Sequence, residues 1–259
     1  MTKYSFSLLP KWLLIGALML AGCCCHDDDN DTDPVPVDPY NGHEYVDLGL
    51  PSGLKWATCN VGATKPEEYG DYFAWGDTVP YYSSQDPLTW KEGKSAGYVW
   101  STYTWCKGSF NTLTKYCSKS AYGYNGFQDD KTTLDPEDDA ARYQWGGSWH
   151  MPTLADWQEL LDENNCKWDR IDAGNTEFGG IAGYKVTSQK DGYKDRFIFL
   201  PAAGFRNNTS LDDVGSNGLY LSSSLDTDSP YGAWFIGFRS SSVNSGCRNY
   251  GQSIRSVCP

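Results

Sequence analysis

The chain has 259 residues and carries 33 acidic against 21 basic side chains, a formal charge of −12. Such a surface repels nucleic acid and anionic lipid, which excludes both as primary partners. With 11 Trp, 18 Tyr and 27 Gly, and no long apolar run after residue 22, the composition points to a loop-rich globular body and excludes a multi-span membrane protein.

Lys3 and Lys11 precede an apolar run from Trp12 to Leu20 that is too short to cross a bilayer and closes on small residues, the pattern of a secretory signal. The run ends in Leu20-Ala21-Gly22-Cys23, which resembles the bacterial lipoprotein processing box, and that resemblance implies cleavage before Cys23 and acylation of its sulfur. Removing residues 1–22 takes two lysines with it and leaves 19 basic against 33 acidic groups, a balance of −14. Residues 23–40, with Asp27, Asp28, Asp29 and Asp31 followed by alternating prolines, cannot bury a core and are expected to form an extended tether. The acidic run behind Cys23 resembles the export signal that places lipoproteins of the Bacteroides group on the outer face of the outer membrane. Cys24, Cys25 and His26 offer metal-ligand chemistry, but adjacent cysteines lack the spacing of structural zinc sites. Residues 41–259 remain, a length suited to one domain.

Within that body, residues 81–125, rich in Tyr, Trp, Ser and Gly, read as a long irregular insertion. Asp135-Pro136-Glu137-Asp138-Asp139 predicts a helix start, with Asp135 at the N-cap, Pro136 at the first helical position and acids facing the positive end of the dipole. A second helix begins at Thr153, whose pairing with Asp156 is a capping-box pattern, and Leu154, Trp157, Leu160 and Leu161 form its apolar face. Residues 184–188 and 196–200 flank the turn Asp191-Gly192 and predict a hairpin, and further strands are expected over 233–238 and 253–257. The class is α+β, with few helices against antiparallel strands. The body's six cysteines are even in number, which in an exported protein favours disulfides among 15 possible pairings. Loop proximity favours Cys247–Cys258 and Cys106–Cys117, which leaves Cys59–Cys166.

Several segments together resemble the Fibrobacter succinogenes major paralogous domain, a family of surface lipoproteins in the Bacteroides group. They include Tyr45-Val46-Asp47-Leu48-Gly49-Leu50-Pro51-Ser52-Gly53, Trp56-Ala57-Thr58-Cys59-Asn60-Val61-Gly62-Ala63 and Gly70-Asp71-Tyr72-Phe73-Ala74-Trp75-Gly76-Asp77. Trp145-Gly146-Gly147-Ser148-Trp149-His150-Met151-Pro152-Thr153, Phe199-Leu200-Pro201-Ala202-Ala203-Gly204 and Gly251-Gln252-Ser253-Ile254-Arg255-Ser256-Val257 follow in order, so the resemblance covers nearly all of 44–259. It implies a C-type-lectin-like fold, akin to that of formylglycine-generating enzymes: small twisted sheets, two main helices and long loops. No defined activity comes with it.

Three chemistries are candidates. Asp129, Asp130, Asp135, Glu137, Asp138 and Asp139 crowd the hard oxygen ligands that calcium needs, but the spacing is not that of an EF-hand and the same residues account for a helix start. No cofactor is otherwise expected, and calcium is the one ion the acidic run fits. Tyr81, Tyr82, Trp90, Tyr98, Trp100, Tyr103 and Trp105 supply rings that stack on sugar faces, several of them destined for the core. An enzyme reading rests on Cys247 and Cys258, because formylglycine-generating enzymes use a cysteine pair near the C-terminus; the sequence around Cys247 does not reproduce their pattern, and a bridge explains both residues. His150, at a helix entrance, has no nucleophile motif beside it. Thr78, in Asp77-Thr78-Val79, matches a short O-glycosylation motif of the Bacteroides group. The function expected is a non-enzymatic binding or adhesion module, lipid-anchored at the cell surface, with a glycan or surface protein as ligand. Its rivals are an enzyme acting on surface glycans or polypeptides and a structural subunit of a surface assembly.

Overall fold

The computed structural model describes residues 38–259 apart from 86–87, 95–96 and 239–241. Cys23, the leader and the tether as far as Val37 lie outside the described residues. The compact unit begins at Asp38: Pro39 and Tyr40, the last residues of the expected tether, are already part of it, their carbonyls accepting from the Ser148 amide at 2.9 Å and the Trp149 indole at 2.8 Å.

Thirteen short strands are formed among the described residues. In chain order they are β1 (Tyr45–Asp47), β2 (Lys55–Ala57), β3 (Tyr82–Gln85), β4 (Leu88–Trp90), β5 (Cys166–Ile171), β6 (Gly183–Ser188) and β7 (Phe197–Pro201). They continue with β8 (Phe205–Asn207), β9 (Ser210–Asp212), β10 (Leu219–Leu225), β11 (Gly232–Gly237), β12 (Ser242–Cys247) and β13 (Val257–Cys258). The two α-helices are α1 (Ala140–Trp145) and α2 (Leu154–Leu161). The strands make small antiparallel sheets, β1-β2-β13, β5-β6-β7 and β10-β11-β12, and the ribbons β3-β4 and β8-β9. This is the α+β arrangement that the patterning implies.

Local chemistry explains the helices. At α2 the Thr153 hydroxyl accepts from the Asp156 amide while the Asp156 carboxylate accepts from the Thr153 amide, the reciprocal capping box. Trp157 and Leu160 are buried against β10 and β11, and the Trp157 indole donates to Leu221 O at 3.2 Å. At the first helix the expected cap moves. Asp135 precedes a single 3₁₀ turn over Pro136–Asp138 and caps nothing with its side chain, whereas Asp139 caps α1 by accepting from the Arg142 amide. The reason is competition: Lys115 and Lys131 both hold the Asp135 carboxylate at 2.7 Å.

Near the C-terminus Val257 alone of the expected 253–257 strand lies in a sheet, where with Cys258 it pairs with β2, and Ser253 makes an isolated bridge to Tyr220. Between them the backbone pairs irregularly, Ile254 O accepting from the Val61 amide and Ser256 O from the Ala57 amide, and the wholly buried Arg255 donates to the carbonyls of Ala57, Thr58 and Phe199 at 2.8–3.0 Å. The aromatic segment after Tyr81 is not a loose loop. Tyr72, Tyr81, Tyr82, Tyr98, Tyr103 and Leu113 form a core of their own, and Gly97 lets this lobe close on the β8–β9 turn. A Cβ on Gly97 would stand 2.4 Å from the Asn208 backbone. No described helix is long and apolar enough to cross a membrane.

Candidate ligand-binding site

A cavity of about 410 Å³ opens where the aromatic lobe meets the β10-β11-β12 sheet, lined by Trp100, Phe110, Tyr122, Tyr231 and Cys247. Phe110 sits at the tip of a loop closed by Lys107 N to Thr112 O (2.8 Å) and Thr114 N to Trp105 O (3.0 Å). Tyr122 ends a 3₁₀ turn and its carbonyl accepts from the Leu113 amide at 2.9 Å. Tyr231 stands just before β11, and its carbonyl accepts from Arg248 N at 3.1 Å. The rings meet tilted or edge-on, with centroids 5.5 Å apart for Tyr122–Tyr231, 5.8 Å for Phe110–Tyr231 and 6.4 Å for Phe110–Tyr122. Phe110 is 45% exposed, so the cradle meets solvent.

Its two walls come from distant parts of the chain and are pinned together by hydrogen bonds. The buried Arg248 guanidinium donates to Tyr116 O at 2.8 Å and Lys115 O at 2.9 Å, and lies 5.5 Å from the rings of Trp75 and Tyr103. Nearer the rim, Ser118 Oγ donates to Thr227 O and Lys119 Nζ to Asp228 O, both at 2.6 Å. The arrangement offers stacking surfaces held at fixed spacing, the requirement of a pre-formed binding site.

The aromatic residues expected at a ligand surface divide by burial. Tyr81, Tyr82, Tyr98 and Tyr103 are core residues. Tyr81 stacks on Tyr98 at 4.3 Å, the Tyr82 hydroxyl accepts from the Tyr72 amide at 2.9 Å, and Tyr103 donates to Trp75 O at 2.7 Å. Their rings are turned away from solvent because each phenol finds a partner inside. Trp90 packs edge-on against Tyr82 and Tyr98, Trp105 donates to Gly76 O at 2.9 Å, and Trp100 alone of the seven lines the cradle. Phe110, Tyr122 and Tyr231 carry no motif that marks them in the sequence.

Part of the acidic run gathers on a lysine, with Asp135, Glu137 and Asp138 all within 3.9 Å of the Lys115 ammonium, and no group of three or more His, Cys, Asp or Glu side chains among the described residues is placed to hold a metal. Asp129 accepts from the amides of Tyr116 and Cys117 at 2.7 and 2.8 Å. Asp135 and Asp138 hold Lys115 at 2.7 and 2.5 Å, Asp139 is occupied as a cap, and Asp130 and Glu137 are exposed. Hydrogen bonds from Lys115 and Lys131 pull the Asp135 carboxyl down to about 2.

All six body cysteines are thiols in the structure, and none of the bridges Cys59–Cys166, Cys106–Cys117 and Cys247–Cys258 is closed. Cys106 and Cys117 share the lobe's core, whereas Cys59 packs with Cys258 in one cluster, Cys166 belongs to another, and Cys247 lines the cradle. Burial pushes every one of these thiols up, Cys166 to about 12 and Cys258 to about 11. His150 is half-buried, with Nδ1 3.0 Å from Ser148 O and its backbone paired with Val257. Thr78 is half-buried at the edge of a second pocket, beside the buried Asp77. No known protein family, no curated protein and no solved structure matches the chain.

Proposed function

We propose that the chain is a glycan-binding module displayed at the cell surface, and that the Trp100–Phe110–Tyr122–Tyr231 cradle is its ligand site. The observation that carries this reading is the solvent-facing triplet of rings within 6.4 Å of one another around a cavity of about 410 Å³. That volume lies inside the roughly 300–1,000 Å³ of small-ligand sites. Aromatic faces match the C–H faces of a sugar, and tyrosine hydroxyls at their edges match its oxygens. The lipoprotein box at Cys23, the acids behind it and the resemblance to the Fibrobacter major paralogous domains support surface display through a lipid anchor, and the small sheets with two helices are compatible with a C-type-lectin-like fold. Burial raises the thiols of Cys247 and Cys258, which argues against a thiolate mechanism at that pair.

A glycan array probed with the full chain tests the proposal. Phe110→Ala and Tyr231→Ala should each weaken retention by about tenfold or more, the equivalent of roughly 1.4 kcal/mol. A chelator should leave it unchanged, because lysines and amides already occupy the acidic run. An array without hits, or hits indifferent to both substitutions, overturns the cradle; retention of surface proteins in place of glycans transfers it to a protein ligand.

A further inference from the structure

The segment carrying Trp100 contributes further residues, Thr104 and Trp105, to a second pocket of about 270 Å³. Its chemistry is different. Two aspartates in its lining are almost wholly buried, Asp77 at 7% and Asp138 at 6% exposure. Asp77 accepts from the Tyr81 hydroxyl at 2.5 Å and from the Thr104 side chain, and stands 3.9 Å from the Lys94 ammonium. Lys94 lies 3.9 Å over the Tyr81 ring and donates to Thr102 O and, at 3.3 Å, to Thr104 Oγ. On Asp138 one oxygen, Oδ2, takes both Lys115 and the Tyr116 hydroxyl. A carboxylate accepts about four hydrogen bonds, so both aspartates keep acceptor capacity for a guest.

Trp105 supplies the wall. Its indole N–H donates to Gly76 O at 2.9 Å, which fixes the plane of the ring, and the Lys115 ammonium lies 5.0 Å from the ring centroid. Gly76 is required for that seat: its φ is +79°, and a Cβ there would stand 2.9 Å from the indole nitrogen. A fixed indole, two carboxyl groups with acceptor capacity to spare, an ammonium and the oxygen of a threonine that already donates to Asp77 surround one small volume and suit a ring that is apolar on its face and rich in hydroxyls at its edge. Lys94 and Lys115 are each already set against one of the aspartates, so an anionic guest would find no unpaired cation to meet its charge, and an apolar guest would cover charged groups without satisfying them.

We propose that the Asp77–Asp138 pocket is a binding site for a single neutral sugar ring, with its face on Trp105 and adjacent hydroxyls donating to the two aspartates. This site is separate from the cradle and stands or falls without it. Val79, 38% exposed, lines the pocket and allows it to be plugged from outside the core.

Saturation-transfer NMR on the full chain with glucose, galactose, mannose, N-acetylglucosamine and glucuronate at millimolar concentration decides the matter. At least one neutral sugar should receive magnetisation and glucuronate should not. Val79→Trp should abolish the signal, and Thr104→Val, a change at an exposed position, should weaken it about tenfold, both with an unchanged near-ultraviolet circular dichroism spectrum. Phe110→Ala should leave it intact. The proposal is overturned if no neutral sugar responds, if glucuronate responds equally, if the signal survives Val79→Trp in a folded chain, or if Phe110→Ala removes it, which would assign the binding to the cradle.

Discussion

Asp139 is a buried carboxylate with two backbone partners, the amides of Arg142 at 3.0 Å and Met151 at 2.8 Å. The first closes the N-terminus of α1, and the second ties that helix to the segment leading into α2. Burial raises its pKa, while the two amides act in the opposite direction. Removing the carboxylate would orphan both donors inside the protein. Asp139→Ala should therefore cost about 1–3 kcal/mol, read from the urea midpoint, and Asp139→Asn, which keeps an acceptor, should cost less. Asp135→Ala sets the contrast, because Asp135 caps no helix and is spent on lysines; equal effects at both positions on the helical signal would refute the assignment of the cap.

At the scale of elements, Arg248 joins the end of β12 to the aromatic lobe. Arg248→Met keeps the volume but leaves the carbonyls of Tyr116 and Lys115 without their buried donors, so the lobe should loosen by about 1–3 kcal/mol. Hydrogen exchange should then accelerate over residues 100–125 and remain slow in β10 and β11; uniform acceleration would mean that Arg248 stabilises the whole domain instead. The same junction shows what could be read in advance. The hairpin of β6 and β7 is written in two strand-prone runs either side of Asp191-Gly192, and α2 is written in Thr153 and Asp156, because both signals are local. Asp135 misleads because two lysines compete for it, Lys131 four residues upstream and Lys115 20 residues upstream, and only the fold brings the second to it. The cradle is half legible: the insertion's ring content announces aromatic surface, but burial alone sorts Trp100 from Tyr81, Tyr82, Tyr98 and Tyr103. Tyr231 enters from a separate part of the chain, and only the fold places it beside Tyr122.

Across the whole molecule, tyrosine phenols brace segments that are distant in sequence, in one case joining β10 to β7. Tyr72 donates to Ala203 O at 2.6 Å, Tyr98 to Tyr72 O at 2.5 Å and Tyr220 to Pro201 O at 2.7 Å. Burial raises each of these phenols well above its ordinary range, and it raises the thiols of Cys166 and Cys258 to about 12 and about 11. A group whose folded pKa lies above its unfolded value holds its proton longer in the native state, so its contribution is complete below the unfolded pKa and is lost as pH rises through the folded one. Unfolded thiols titrate near 8.5 and phenols near 10. Stability should consequently hold steady through neutrality and fall from about pH 9 upward, with several groups withdrawing support together. Melting temperature followed against pH, with ultraviolet absorbance recording tyrosinate, checks this. The buried phenols should ionise only as the chain unfolds, in one cooperative step at alkaline pH. Gradual ionisation of nearly all the tyrosines around their ordinary value, in a chain that stays folded, would show that the phenols are not enclosed as described and that the bracing lies elsewhere.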